Sequence, residues 1–305
     1  GINVWDSSPQ IIGNKITACH HNAIGVHGRA ALTGKCEIRD NDIYGNTIGI
    51  GNGRGSRAHI YNNRIYNNRV VGVGSRGLAA PRIEANYIYG NRLGVGVREV
   101  ASPRVEGNHI YDNVCGIVVS PISTVRRFAG EDVVMKNNLI FGNHQVGISI
   151  TSFNLSRVVI ANNTIDANNH EFDKDERAGG VAFGYPHQGE FTAVLENNII
   201  TNNKYGNVVN YTGTELFPFP GATVEGGHNN VWNPEGGVGY VGCTPGNKDA
   251  SKDPLFAQSS GEKGSGYYLS QRAAGQSVQS PCVDRGDAQA TKVGLAKRTT
   301  RTDGV

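Results

Sequence analysis

The chain has 305 residues, a formal net charge of +3, 42 glycines and, counted along the sequence, 32 asparagines. Glycine at about twice its usual share indicates many turns with positive φ. A hydrophobic fraction of 38% excludes a disordered chain. No apolar run approaches the roughly 18 residues of a membrane span. The near-neutral charge excludes a general attraction to nucleic acid. We therefore expect a folded protein that binds no nucleic acid and does not insert into a membrane.

The first residues read as a strand, not as an export leader. Residues 1–4 lack a charged segment followed by an apolar one, and the single methionine is Met135. We expect a processed product or an excised fragment from which an export signal has been removed.

A short repeat organises most of the chain. The tripeptide Asn-x-Ile begins at Asn14, Asn41, Asn63, Asn86, Asn108, Asn138, Asn163 and Asn198, with a weaker copy at Asn230. In most copies an aromatic residue, a second Asn and a Gly before a β-branched segment follow. The regular anchors Ile43, Ile65, Ile88 and Ile110 are 22, 23 and 22 residues apart. This period is too short for a strand-helix-strand unit, so each repeat predicts short strands joined by Asn/Gly turns.

Composition within the repeat separates the two solenoids that such a period allows. Leucine-rich repeats need several Leu per unit, whereas here the inward positions are Ile and Val, with two Asn per turn. Stacked coils place like residues about 4.8 Å apart, so Asn side chains can form hydrogen-bonded ladders at the bends. The pattern predicts an all-β parallel β-helix of about nine or ten coils over residues 1–235.

These motifs resemble the right-handed parallel β-helix superfamily. It includes pectate and alginate lyases, polyuronate epimerases and the periplasmic copper-maturation protein of nitrous oxide reductase. The resemblance implies an exported protein, secreted, on the cell surface or periplasmic, that acts on a polysaccharide, and we expect an acidic one. We also expect a monomer.

Residues 236–305 have a different composition and contain no Asn after residue 250. They resemble the C-terminal segment that closes many β-helix proteins, and we expect them to pack on the last coils without forming an independent domain. Cys115 shares a repeat position with Ile48, Val71 and Leu93, which we expect to point inward, so it is expected to be a buried free thiol. Cys19 with Cys36, and Cys243 with Cys282, can each form a disulfide if the compartment is oxidising.

Three insertions interrupt the repeat, at residues 121–132, 169–190 and 211–222. Insertions at one bend of successive coils wall one face of a solenoid, so we expect the functional site there. A lyase needs a base near the sugar C5 and a cation that neutralises the carboxylate. The candidate catalytic residues are Arg126, Arg127, Lys136, Tyr185 and His187. The alternative is that Tyr185 and His187 only support their loop.

The second insertion also carries an acidic run. Glu171, Asp173 and Asp175 offer oxygen ligands for Ca²⁺, which polyuronate lyases often use. Lys174 and Arg177 compensate much of this charge, so a solvated loop is the alternative.

A candidate substrate-binding set comes from the period itself. Arg54, Arg76 and Arg98 are 22 residues apart and are expected to stack into one column at a sheet edge, with Tyr211 added from the third insertion. Like charges at this distance repel unless an anion bridges them, and guanidinium pairs well with carboxylate or sulfate. The alternative is that each arginine turns outward or pairs with a neighbour such as Glu99.

Two further columns lie on the repeat. Small residues at Gly51, Gly74, Gly96, Val118, Ser149 and Ala182 predict a flat strip that accepts a sugar chain or a covering loop. Aromatic residues at Tyr44, Tyr66, Tyr89, Tyr111 and Phe141 predict either a sugar-stacking platform or a structural stack, and their presence in every regular coil favours the stack.

The function that we predict is lyase or epimerase chemistry on an acidic glycan. The alternative is a non-catalytic solenoid for carbohydrate binding, adhesion or assembly. The Asp-Pro-His of mannuronan epimerases and the Asn-Thr-Asp and Gly-His-Gly of polygalacturonases are absent. No spacing in the sequence therefore selects one activity.

Overall fold

Each repeat of the sequence forms one coil, and each regular coil adds one strand to each of three parallel sheets. A computed structural model describes residues 1–28, 36–120, 132–151, 157–169, 179–184, 191–211, 222–234, 238–257 and 266–287. Within these ranges the regular structure consists of strands and one short 3₁₀-helix, Arg272–Ala274.

The described strands stack in register along the solenoid axis. In spatial order, the first sheet contains the ten described strands β1 (Ile2–Trp5), β4 (Asn22–His27), β7 (Ile48–Gly53), β10 (Val71–Ser75), β13 (Leu93–Arg98), β16 (Cys115–Ser120), β19 (Val146–Ile150), β22 (Val181–Phe183), β25 (Val208–Asn210) and β28 (Tyr240–Val241). The second contains the nine described strands β2 (Gln10–Ile12), β5 (Glu37–Arg39), β8 (His59–Tyr61), β11 (Arg82–Glu84), β14 (Arg104–Glu106), β17 (Val133–Lys136), β20 (Arg157–Ala161), β23 (Thr192–Glu196) and β26 (Thr223–Gly227). The third contains the nine described strands β3 (Lys15–Thr17), β6 (Asp42–Tyr44), β9 (Arg64–Tyr66), β12 (Tyr87–Tyr89), β15 (His109–Tyr111), β18 (Leu139–Phe141), β21 (Thr164–Asp166), β24 (Ile199–Thr201) and β27 (Asn230–Trp232).

The core is a stack of apolar side chains inside the coils. The middle residue of each third-sheet strand points inward, and Ile43, Ile65 and Ile88 are completely buried there. The strand pairing aligns each of these residues with its equivalent in the next coil, so identical isoleucine side chains pack on each other about 4.8 Å apart. The predicted parallel β-helix of about nine or ten coils is confirmed.

Two asparagine ladders run along the bends, as predicted. In the first ladder the side-chain Nδ2 of Asn41 donates to Oδ1 of Asn63 at 2.9 Å, and Asn63 donates to Asn86 at 2.9 Å. The second ladder repeats this geometry from Asn46 to Asn68 at 3.1 Å. The same side chains also donate to main-chain carbonyls, so the polar bends are satisfied without solvent.

The aromatic column is a structural stack. Neighbouring rings of Tyr44, Tyr66, Tyr89, Tyr111 and Phe141 lie 4.8–5.0 Å apart with interplanar angles of 0–15°. Because the rings cover each other's faces, these faces are closed to a sugar.

Described parts of the closing segment contact the last coils. Tyr267 continues the aromatic stack 5.1 Å from Phe141, and its hydroxyl donates to Asp166 at 2.6 Å. Asn197 donates to Asp287 at 2.6 Å. The domain boundary at residue 235 stays a prediction.

The cysteines are free. The positions of Cys115, Ile48 and Val71 lie on the outer face of the first sheet, so the expectation of an inward Cys115 is wrong. Cys115 is half-buried, and its thiol donates to Gln145 at 3.4 Å. In the described part of the chain no helix is long and apolar enough to span a bilayer.

Candidate functional site

A groove of about 740 Å³ lies on the outer face of the first sheet, across its first strands. Its floor is the column of small residues that the sequence predicted as a flat strip. The strand pairing places the three lining glycines Gly51, Gly74 and Gly96 side by side on adjacent strands. The groove therefore runs along the solenoid axis, and two strand spacings give this floor a length of about 10 Å.

The floor ends where the column gains side chains. Gly96 pairs with Val118, and Val118 pairs with Ser149. Within this column, Gly96 is the last residue that lines the groove. A Cβ on Gly74 or Gly96 would lie 3.3 or 3.2 Å from a methyl group of Val71, so the floor is closely packed. Glycine at these positions keeps the groove deep, since any side chain would project into it.

The two walls of the groove differ in chemistry. One wall is formed by the turn before β4, with Cys19, His20 and His21, and by apolar residues that begin the later strands, including Val71 and Leu93. The opposite wall holds His27, Arg76 and Arg98 at the ends of their strands. A ligand in the groove would thus meet a partly apolar surface on one side and cations on the other.

Only two of the three predicted arginines share a column. Strand pairing aligns Ser75 with Val97, so Arg76 and Arg98 are neighbours on adjacent strands. On the other side Ser75 pairs with Asn52, which places Gly53 beside Arg76 and leaves Arg54 one residue further along. The coil between these strands has 23 residues, not 22, and this extra residue shifts the register. The prediction of a three-arginine column is therefore wrong for Arg54.

Arg54 is also engaged elsewhere. Its guanidinium carbon lies 5.1 Å from the centre of the Trp5 ring, a cation–π contact. Trp5 lies beside the groove, next to His27 on the adjacent strand, and remains 52% exposed.

Arg76 and Arg98 are exposed, and neither forms an ion pair with a described residue. The second sheet provides a contrast, because Arg82 and Arg104 are also neighbours there. Arg82 pairs with Glu84 at 2.9 Å, and both arginines reach Glu106 within 3.9 Å. Stacked arginines elsewhere on this solenoid are thus compensated by carboxylates, whereas those of the groove are not. Among the described residues, the two guanidinium groups of the groove wall therefore have no ion-pair partner, and the Glu99 carboxylate, which lies close to Gly77, pairs with neither of them.

His27 lies on the same wall. Its ring is half-buried and packs 4.7 Å from the Trp5 ring at an interplanar angle of 32°. Burial lowers the pKa of His27 below its usual 6.5, and the positive charges of Arg76 and Arg54 lower it further. These effects therefore favour the neutral form of His27.

The other predicted residues lie apart from the groove or outside the described ranges. Tyr211 follows β25 at the same sheet edge as Arg98, four strands away or about 19 Å. Lys136 lies on the second sheet, beside Glu106. The remaining predicted catalytic residues, Arg126, Arg127, Tyr185 and His187, lie outside the described residues.

The predicted calcium ligands Glu171, Asp173 and Asp175 also lie outside the described residues. Among the residues that are described, no group of three or more His, Cys, Asp or Glu side chains is arranged to hold a metal ion. Calcium binding by the second insertion stays a prediction.

Sequence reasoning missed His27 and Trp5. Trp5 precedes the first Asn-x-Ile copy, and the coil that contains His27 is irregular, because 27 residues separate Asn14 from Asn41 against 22 between Asn41 and Asn63. Only the strand pairing, in which Ile24 and Ile50 are equivalent, shows that His27 lies beside Gly53.

Comparison with known protein families identifies the fold. The family model described as a right-handed beta helix region matches residues 1–152 and 123–226, which confirms the predicted handedness. No curated protein matches the sequence. Similar solved structures include the Dettilon tailspike protein, with 14% identity and a TM-score of 0.46 over 79% of this chain and 51% of the tailspike chain. Another is XylC in complex with xylose, with 16% identity and a TM-score of 0.41 over 82% of this chain and 39% of XylC. The chain thus spans about half or less of these proteins.

Proposed function

The chain belongs to the right-handed β-helix family, and from the groove on its first sheet we propose that it binds an acidic polysaccharide there. The observation that carries the proposal is the pair Arg76 and Arg98, adjacent, exposed and without ion-pair partners among the described residues. A carboxylate or sulfate between them would remove their mutual repulsion and accept paired hydrogen bonds. The glycine floor gives a linear chain access along the solenoid axis.

The rim of the groove suits a sugar as well as an acid. Trp5 lies three strands from Arg76, or about 14 Å along the axis. His27 and Arg54 already contact its ring, and the part of the ring that stays exposed can pack on the apolar face of a sugar. A ligand that contacts Trp5 and Arg98 together must span four strand spacings, about 19 Å. We therefore propose an oligomeric ligand and not a single sugar.

Binding is tested by titrating the protein with uronic acid oligosaccharides and with neutral oligosaccharides of equal length. Arg76→Gln and Arg98→Gln are each expected to weaken acidic-ligand binding about tenfold, since each removes a charge-assisted contact. Arg104→Gln is the matched control because it removes a stacked arginine from the neighbouring sheet. It is expected to change affinity less than about twofold. Equal affinity for the neutral ligands, or an equal loss in Arg104→Gln, would contradict the proposal.

We propose lyase or epimerase chemistry as the reaction on the bound glycan. Both reactions begin by removing the proton next to the carboxylate of a uronic acid residue, and both need a base and a cation. The groove supplies histidines on both walls and arginines on one. An assay for unsaturated product in the ultraviolet, with binding measured in parallel, separates a catalyst from a binding module. The binding module is the outcome if a bound acidic glycan is neither cleaved nor epimerised.

From the resemblance to right-handed parallel β-helix proteins, we also propose that the protein is located outside the cytoplasm and is a monomer. Cell fractionation and size-exclusion chromatography test them.

A further inference from the structure

The side chains of His27 and Arg76 share the space above Gly53. These three residues occupy equivalent positions on adjacent strands, with Gly53 in the middle. A Cβ added to Gly53 would lie 3.2 Å from Nδ1 of His27 and 3.8 Å from Nε of Arg76. The absence of a side chain at Gly53 thus lets a neutral imidazole and a guanidinium approach the same point on the groove wall.

The other ring nitrogen of His27 lies above Gly25, where it shares space with the side-chain amides of Asn3 and Asn22. A Cβ added to Gly25 would lie 3.2 Å from Nε2 of His27. No described residue is a hydrogen-bond partner of either ring nitrogen. His27 itself lines the groove, so the lone pair of its neutral imidazole is available to a ligand that lies beside Arg76.

The groups around His27 hold its ring in place and determine which protonation state is favoured. Trp5 packs against the ring from β1, while Arg54 and Arg76 approach from β7 and β10. The Asp6 carboxylate lies close to Gly28, the residue after His27, since a Cβ on Gly28 would contact it. Nearby cations favour the neutral, basic form of the imidazole. A cation beside a base is also what removal of a proton next to a carboxylate requires, because the carbanion formed there is stabilised by charge on the carboxylate.

Resting on the proposed function, we propose that His27 is the catalytic base that removes the C5 proton of a uronic acid residue while Arg76 binds its carboxylate. The C5–H electron pair first moves toward the carboxylate, which Arg76 neutralises. In elimination that pair then forms the C4–C5 double bond, the C4–O4 bond breaks, and the departing oxygen takes the proton from the imidazolium. In epimerisation C5 instead takes a proton from solvent water on its opposite face, and the imidazolium releases the abstracted proton to solvent. The proton transfer at C5 is common to both.

The decisive measurement is made on the whole chain, with uronic acid oligosaccharides at saturating concentration. Exchange of the C5 proton with deuterium from the solvent is followed by NMR, and unsaturated product is followed by ultraviolet absorbance. His27→Gln is expected to bind within about twofold of the unsubstituted protein and to lose at least about a hundredfold in both rates. His59→Gln, on the second sheet, is the control and is expected to retain both rates.

Two results would overturn the proposal while leaving glycan binding intact. One is a His27→Gln variant with unchanged rates, and the other is an unsubstituted protein that binds acidic oligosaccharides but catalyses neither exchange nor elimination. Failure to bind any acidic oligosaccharide would instead overturn the proposed function, and the catalytic role with it. An NMR titration of His27 gives a readout apart from activity, because a ring that is protonated at pH 7 could not be the base.

Discussion

Asp249 terminates the first asparagine ladder by accepting two hydrogen bonds from Asn229. Its Oδ1 lies 2.8 Å from the main-chain N and 3.1 Å from the side-chain Nδ2 of Asn229. The ladder amides all donate toward the C-terminal end, so their dipoles add. Their positive end meets the Asp249 carboxylate, as the N-terminus of a helix meets an acidic residue.

Asp249→Asn is expected to destabilise the last coils. The second carboxylate oxygen accepts from the Tyr240 hydroxyl and from the main-chain N of Gly246. An amide has one acceptor oxygen in place of two, so one set of donors loses its partner. We expect the free energy of unfolding to fall by about 2 kcal/mol, measured by urea denaturation. The control Asp40→Asn, in an exposed ion pair with Arg39, is expected to cost less than about 1 kcal/mol.

Loss of a buried ladder residue is expected to lower the free energy of unfolding more than loss of the exposed first residue of the ladder. Asn108 is completely buried and donates to Ile83 at 2.9 Å and to Asn138 at 3.0 Å. Asn108→Ala leaves these acceptors and the Asn86 donors unpaired, and is expected to cost about 3 kcal/mol. Asn14→Ala, at the exposed start of the same ladder, is expected to cost less than about 1 kcal/mol. Equal costs in urea denaturation would show that the ladder does not depend on burial.

Much of this fold could be predicted because the same residue pattern recurs in many coils. The spacing of anchors such as Ile65 and Ile88 indicates the coil length, and Asn63 and Asn86 mark the bends. Because these residues recur in several coils, an irregular residue in one copy does not change the predicted fold. The groove was only partly predictable for the opposite reason. Its register depends on one 23-residue coil, and that single residue moved Arg54 out of the column of Arg76 and Arg98. His27 could not be predicted because its importance depends on contacts with Gly53 and Trp5, which no repeat position signals.

Filling the glycine floor is expected to block the ligand and not the fold. Gly74→Val adds a β-branched side chain to β10, which suits a strand, while its methyl groups occupy the groove. We expect affinity for acidic oligosaccharides to fall at least about tenfold, while the free energy of unfolding falls by only about 1 to 2 kcal/mol because the nearby Val71 methyl group must shift. Calorimetric titration and urea denaturation measure the two quantities. Ser149→Val changes the same column beyond the groove and is expected to leave affinity unchanged. A similar loss in that control would place the ligand elsewhere.

The contact between Tyr267 and Asp166 is expected to make stability depend on pH. Burial raises the pKa of Asp166 above its usual 3.8, while hydrogen bonds from Tyr267 and Asn202 oppose the rise. A raised folded pKa means that this group stabilises the fold most at low pH and loses that stabilisation as pH rises through its pKa. Tyr267→Phe removes one opposing hydrogen bond, so its stability deficit should grow from pH 4 to pH 7. In an Asp166→Asn background the deficit should not vary with pH, and a deficit that still varied would exclude Asp166 as its source.

His27 gives affinity and turnover opposite dependences on pH. Its pKa is lowered below 6.5 by burial and by the charges of Arg76 and Arg54. As pH falls through that pKa, the imidazole gains a positive charge beside Arg76, and we expect affinity for an acidic oligosaccharide to rise several-fold. The same protonation removes the lone pair that takes the C5 proton, so turnover should fall about tenfold for each pH unit below the pKa. His27→Gln should reduce the pH dependence of affinity by removing the contribution of His27, whereas His59→Gln should preserve both trends. Affinity and turnover that fall together on acidification would mean that the titrating group holds the ligand and does not remove its proton.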